Sequence, residues 1–315
     1  VTSLADSFAG PVDPAADAGH RDAPARKGFF TDTSICIGCK ACEVACKEWN
    51  DVPADGMALS GMSYDNTVGL GASTWRHVAF IEQATGRTAG PAESAALAAQ
   101  AQAHAPTAPV AEVPAGSEMP SFRWLMESDV CKHCTHAACL DVCPTGALWR
   151  TEFGTVVVQD EICNGCGYCV PACPYGVIER RDGPPGDAAI DVAQKCTLCY
   201  DRLRDGLQPA CATACPTQSI QFGDLDELRV RAETRVGHLV EAGVAGAQLY
   251  GHDPGDGVGG AGAFFLLLDR PETYGLPPDP VVTTRDLPGM WRTAGVAALS
   301  MLAGGIAAFA TARRR

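Results

Sequence analysis

Residues 163–176 read CNGCGYCVPACPYG, with cysteines at 163, 166, 169 and 173. The spacing, C-x2-C-x2-C-x3-C, is the run with which bacterial ferredoxins hold [4Fe–4S] cubanes. A loop with a cysteine at every third residue sets three thiolates around three corners of one cubane. The fourth leaves on the helix that follows, faces the other way and ligates a neighbouring cluster. Gly165 and Gly167 lie inside the loop, where backbone must come close to the cluster, and Pro174 follows the last cysteine.

Working outward, all sixteen cysteines of the 315-residue chain fall into four groups of four. The first is Cys36, Cys39, Cys42 and Cys46, and the second is Cys131, Cys134, Cys139 and Cys143. The third is Cys163, Cys166, Cys169 and Cys173, and the fourth is Cys196, Cys199, Cys211 and Cys215. Proline follows the last cysteine in three groups, as Pro144, Pro174 and Pro216; Lys47 takes that place in the first. Disulfides do not suit cysteines spaced every third residue. Zinc held by four thiolates is the stronger rival and would make the chain a structural scaffold. Zinc ribbons, however, use separated CxxC knuckles.

The second and third groups adjoin, so they make one ferredoxin-like dicluster unit. The first and fourth must then pair across the chain to make the other. The expected fold is α+β: two such units in pseudo-two-fold relation, plus a C-terminal transmembrane helix. The ferredoxin rule assigns four [4Fe–4S] clusters. One takes Cys36, Cys39, Cys42 and Cys215, and the next Cys46, Cys196, Cys199 and Cys211. The third takes Cys131, Cys134, Cys139 and Cys173, and the last Cys143, Cys163, Cys166 and Cys169.

Residues 1–28 are rich in Ala, Pro, Asp and Gly, lack the apolar run of a secretory signal, and read as a flexible tail. Residues 29–82 form the first cluster-binding segment, with a short helix at 43–49 and a strand at 75–81. Residues 83–120 are an Ala/Pro-rich insertion. Residues 121–222 form the main cluster-binding region, with strands at 122–126 and 155–158 and a Pro/Gly turn at 182–191. Residues 223–288 hold a helix from 224 to 244, with Asp224 and Glu227 as a capping box. The Gly-rich run 256–262 reads as a plain turn before a strand at 264–268.

Residues 289–315 read as an anchor. From Thr293 to Ala312 no residue is charged, and arginines stand on both flanks. Twenty helical residues span about 30 Å, the hydrocarbon thickness of a bilayer. The three terminal arginines favour a cytoplasmic end, which puts the cluster domain on the outer face of the cell membrane.

The net charge of −13 argues against nucleic acid as a partner. No Ser/His/Asp triad, P-loop or paired-carboxylate signature appears, so no catalytic residue is assigned. His133 and His136 lie within the second group, which already has four cysteines, and read as residues surrounding the cluster. Lys40, Lys47, Lys132 and Lys195 adjoin cluster cysteines and read either as charges that raise a cluster's potential or as solvated lysines.

The stretches CIGCKACEVACKEWND (36–51), CNGCGYCVPACPYG (163–176), KCTLCYDRLRDGLQPACATACPT (195–217) and DGVGGAGAFFLLLDRPETYGLP (256–277) resemble the iron–sulfur (beta) subunit of respiratory molybdenum/tungsten formate dehydrogenases. The resemblance covers residues 28–312 apart from the insertion. It implies an electron-transfer subunit that is no enzyme on its own. Its partners would be a molybdopterin catalytic (alpha) subunit that oxidises formate, a membrane cytochrome b or other quinone-reactive (gamma) subunit, and membrane lipid. The cysteine pattern is shared by the equivalent subunits of nitrate, sulfoxide and polysulfide reductases, which are the nearest alternative.

Overall fold

The computed structural model describes residues 13–56, 61, 64–88, 120–183, 190–282, 284 and 287–312. Its centre is a four-stranded sheet. Strand β1 is Lys27–Asp32, β8 is Ile220–Asp224, β9 is Gln248–Tyr250 and β10 is Ala263–Leu267. The order across the sheet is β8-β1-β10-β9, with β1 parallel to β10 and antiparallel to β8. Alternation along β1 divides the core. Phe29 faces a cluster of buried residues that includes Cys42, Cys196 and Cys211. Phe30 faces the other way, onto Leu225, Leu228 and Ala232 of the long helix Leu225–Glu241. β10 is buried on both faces, which is why it reads as an unbroken apolar run rather than an alternating one.

The pairing of β1 with β8 fixes the topology. β1 leads directly into the first cysteine group, and β8 leaves directly from the fourth. The register Thr31↔Ile220 therefore brings the two groups together from opposite ends of the cluster region. Helix α2 (Ala41–Asn50; α1 is Pro14–Asp17) carries Cys42 and Cys46. It packs on the short helix Ala210–Thr213, which carries Cys211. The second and third groups flank a small hairpin of β4 (Leu148–Arg150) and β5 (Val156–Val158). β6 (Glu179–Arg180) and β7 (Ala193–Gln194) pair between the third and fourth groups.

Several expectations need correction. The tail, expected flexible over 1–28, is folded from Asp13 onward and lies on this chain's own cluster region. Asp13 caps α1 through Ala15 N at 3.0 Å, and Ala15 is buried. The His20 ring lies 2.8 Å from the Arg150 carbonyl, and the Arg26 guanidinium reaches Thr135 Oγ1 at 2.7 Å and the His133 carbonyl at 2.8 Å. The insertion begins later than position 83. β2 (Arg76–Thr88) and β3 (Pro120–Val130) form a long antiparallel hairpin that extends through Thr88, and residues 89–119 lie outside the described residues. The capping box at 224 does not form. Asp224 makes no side-chain cap, because its carboxylate is drawn to the Lys27 ammonium across the β1–β8 pair. The C-terminal helix runs Leu287–Ala312, and its residues 289–311 are exposed. Within it Gly289–Thr311 is long and apolar enough to cross a membrane.

Candidate cluster sites

Site one is lined by Cys36, Cys39, Cys42 and Cys215, with Val78, Ser128 and Ile220. The loop is tight: Gly38 has φ +63°, and a Cβ there would stand 2.6 Å from the Phe80 ring. Lys40, also left-handed at φ +58°, ends the loop at the start of α2. Its ammonium lies 3.2 Å from Glu43 and 3.0 Å from Asp65. Lys40 therefore brings compensated charge to this site, not a free cation. Burial alone would raise the Asp65 carboxyl, but bonds from His77 and Lys40 hold it below its ordinary range. Cys42 Sγ is 3.2 Å from Ser128 Oγ, which accepts from the buried Arg76 guanidinium at 3.0 Å.

Cys46, Cys196, Cys199 and Cys211, all buried, gather at site two. Burial pushes the Cys46 thiol well up, and neighbouring Cys196, Cys211 and Cys199 push it further. Asn50 Nδ2 stands 3.7 Å from Cys46 Sγ and 3.9 Å from Cys199 Sγ. The Leu198 N–H donates to Cys196 Sγ at 3.3 Å.

Site three is lined by Cys131, Cys134, Cys139 and Cys173 with His133, Val156, Ile178 and Lys195. Its loop is gripped from outside. Arg150 donates to the carbonyls of Cys134 and Thr135 at 3.0 and 2.9 Å. The 256–262 run, expected to be a plain turn, wraps this loop. Thr135 N donates to Gly260 O, His136 N to Val258 O, and Gly262 N to Lys132 O. Asp256 shapes the run by accepting from Val258 and Gly260 N–H groups. A Cβ at Gly259 would lie 2.4 Å from the His136 ring.

Cys143, Cys163, Cys166 and Cys169 line site four, with Leu148, Val158 and Ala193. The Ala193 N–H donates to Cys163 Sγ at 3.4 Å. Gly165 has φ +70°, and a Cβ there would meet the Asp191 carbonyl oxygen at 2.5 Å, so no other residue fits.

These residues suit an iron–sulfur cubane. Each site offers four soft thiolates and apolar walls, and backbone N–H groups point at the sulfurs at sites two and four. Burial pushes the Cys139 thiol up to about 12 and Cys169 to about 11, with neighbouring thiolates adding to the rise. Thiols so crowded ionise only against strong compensating positive charge, which cluster iron supplies. Among the described residues no three His, Cys, Asp or Glu side chains are placed to hold a single metal ion.

The lysines separate into two classes. Lys132 and Lys195 are 1% and 2% exposed, so the solvated reading fails for them. Lys132 pairs with Asp129 and lies 5.1 Å from the Tyr175 ring centroid. The Lys195 ammonium donates to the carbonyls of Val156 and Cys196. Lys47 donates to Pro53 O at 3.1 Å and pairs with Asp55 at the surface. Sequence reasoning missed Arg76, Arg26 and Arg150, because no local pattern distinguishes a buried arginine from a surface one. Asn50 does lie within the stretch 36–51 that carries the family likeness.

Comparison with known proteins gives the same picture. A 4Fe-4S dicluster domain profile matches residues 35–147, and a second matches residues 122–225. The chain is 37% identical to the formate dehydrogenase iron-sulfur subunit of Haemophilus influenzae over 266 residues, which is 83% of this chain and 72% of the relative. It is 35% identical to the iron-sulfur subunit of the nitrate-inducible formate dehydrogenase of Escherichia coli over 268 residues, 84% of this chain and 76% of that one. The B subunit of the anaerobic dimethyl sulfoxide reductase of Haemophilus influenzae is 33% identical over 208 residues, 66% of this chain and 78% of the relative. With two [4Fe–4S] dicluster domains and this likeness over most of its length, the chain belongs to the family of formate dehydrogenase iron–sulfur subunits.

Proposed function

We propose that this chain relays single electrons from a molybdopterin subunit that oxidises formate to a membrane subunit that reduces quinone. It does so through four [4Fe–4S] clusters held by the sixteen cysteines, and makes or breaks no substrate bond itself. The observation that carries the reading is the composition of the sites: each gathers four cysteines, never drawn from one motif alone. When bound, the clusters supply one-electron redox chemistry with little change in geometry.

The chain's own residues set the sites in series. Helix α2 carries Cys42 of site one and Cys46 of site two. The helix Cys169–Ala172 starts with Cys169 of site four and runs into Cys173 of site three. Lys195, beside Cys196 of site two, also lines site three. The order that follows is one, two, three, four. The exposed cysteines, Cys39 and Cys166, lie at the two ends, where partners would give and take electrons.

Residues 29–82 and 121–222 act as the cluster-binding segments. The helix within 289–315 anchors the chain in the cell membrane by a single span. The terminal arginines favour a cluster domain on the outer face.

The test is purification of the complex through this chain without oxygen. We expect about sixteen irons and as many acid-labile sulfides per chain, with formate reducing the clusters. Cys36→Ala and Cys215→Ala should remove the same paramagnetic signal, and Cys46→Ala and Cys199→Ala a different common one. About four zincs and no sulfide would replace the reading with a structural scaffold. The likeness to a dimethyl sulfoxide reductase subunit favours a second reading, the same relay serving another molybdoenzyme. Clusters that formate leaves oxidised, beside a different co-purifying catalytic subunit, would select it.

A further inference from the structure

We propose that His133 donates a hydrogen bond from its Nε2–H to a sulfur of the group bound at site three and thereby raises that group's reduction potential. The inference rests on the cluster reading above and goes beyond it to the role of one side chain.

His133 lies between Cys131 and Cys134, is fully buried, and lines the site-three space. Its Nδ1 is 3.1 Å from the Val156 backbone nitrogen. A backbone N–H can only donate, so Nδ1 must be the bare acceptor. A neutral imidazole with Nδ1 bare carries its proton on Nε2. That Nε2–H is buried and has no protein partner among the described residues. A buried donor left unpaired is costly, so native chains seldom keep one.

The backbone fixes the ring in place. His133 has φ +45°, in the left-handed region that non-glycine residues rarely occupy. Its carbonyl is fixed by Arg26 Nη2 at 2.8 Å, and the Val156 carbonyl that follows the donating N–H is itself held by Lys195. Around the ring, Lys132 and Lys195 offer donors and no acceptor, the Tyr175 hydroxyl that also lines the space makes no hydrogen bond to the ring, and four cysteines face the same space. The acceptor that completes the ring's hydrogen bonding is therefore sulfur. A donor to cluster sulfur favours the more negative, reduced form, so it raises the potential.

The test uses the intact complex, with His133→Phe, His133→Asn and His136→Asn variants. In redox titrations followed by electron paramagnetic resonance, His133→Phe should shift the reduction equilibrium of one cluster about tenfold toward the oxidised form, or 59 mV for one electron. The other three should keep their potentials, and iron content should be unchanged. His133→Asn tolerates the left-handed backbone and serves as a second loss of the imidazole. Pulsed resonance on wild-type protein labelled with ¹⁵N-histidine should show one nitrogen coupled to a reduced cluster, bearing an exchangeable proton. The coupling should survive His136→Asn. If His133→Phe fails to assemble, the wild-type labelling decides alone. Four unshifted potentials in a fully loaded His133→Phe complex, no histidine coupling in wild type, or a coupling lost in His136→Asn would each overturn the inference. Iron near sixteen per chain in those cases leaves the relay reading intact.

Discussion

At Gly165 a methyl group decides whether a loop closes. The residue's φ of +70° and the Asp191 carbonyl 2.5 Å from a notional Cβ leave no room for alanine. Gly165→Ala should cost the protein about four irons per chain, those of site four, and leave the other signals in place; metal analysis with spectroscopy checks it. Ser128 tests a gentler contact. It joins Cys42 Sγ to the Arg76 guanidinium, and its removal leaves buried Arg76 short of an acceptor. Ser128→Ala should lower stability by about 1–3 kcal/mol, measured by anaerobic thermal unfolding. The cysteines were legible one by one because their spacing is local. The side chains that support them were not. Arg76 and Arg26 act across long stretches of sequence, Arg150 reaches back fifteen residues from a short strand, and Asp224 chose Lys27 over the helix end that its position advertised.

Among the elements, the long helix 225–241 closes the face of the central sheet turned away from the cysteines. Leu228, fully buried on the sheet-facing side of this helix, packs with Phe30 and Phe264. Leu228→Ala should destabilise the domain by about 2–5 kcal/mol, read as a lower unfolding midpoint, with the iron content of folded protein unchanged. This helix and strands β2, β3 and β10 were legible from periodicity and apolar runs, although each boundary moved and the pairing of β2 with β3 was not read. The wrapping of the second cysteine group by residues 256–262 was not legible. A glycine-rich run has no side-chain pattern to read, and its role lies in backbone hydrogen bonds to a segment far earlier in the chain. The tail misled for the opposite reason. Its Ala, Pro and Asp composition matches disorder, yet Asp13 caps a turn and Arg26 finds buried acceptors that only the folded chain provides.

For the molecule as a whole, the cluster region and the C-terminal helix are separable. Residues 289–311 of that helix are exposed, away from the cluster region. Removing residues 287–315 should leave the iron content of the chain unchanged. It should also convert the chain from resisting alkaline carbonate extraction of membranes to being released by it, checked by immunoblotting of the fractions.

The partnership of β1 with β8 also sets a timetable. All eight cysteines of sites three and four have been synthesised once residue 173 is made, and they lie within about 45 positions of one another. Site one waits for Cys215, and its sheet waits for Ile220 to meet Thr31 across nearly two hundred intervening residues. The cysteine sets are therefore completed from the middle of the polypeptide toward its extremities. A stalled nascent chain of intermediate length would leave the ribosome with half its iron complement and the first cysteines still open to chelators.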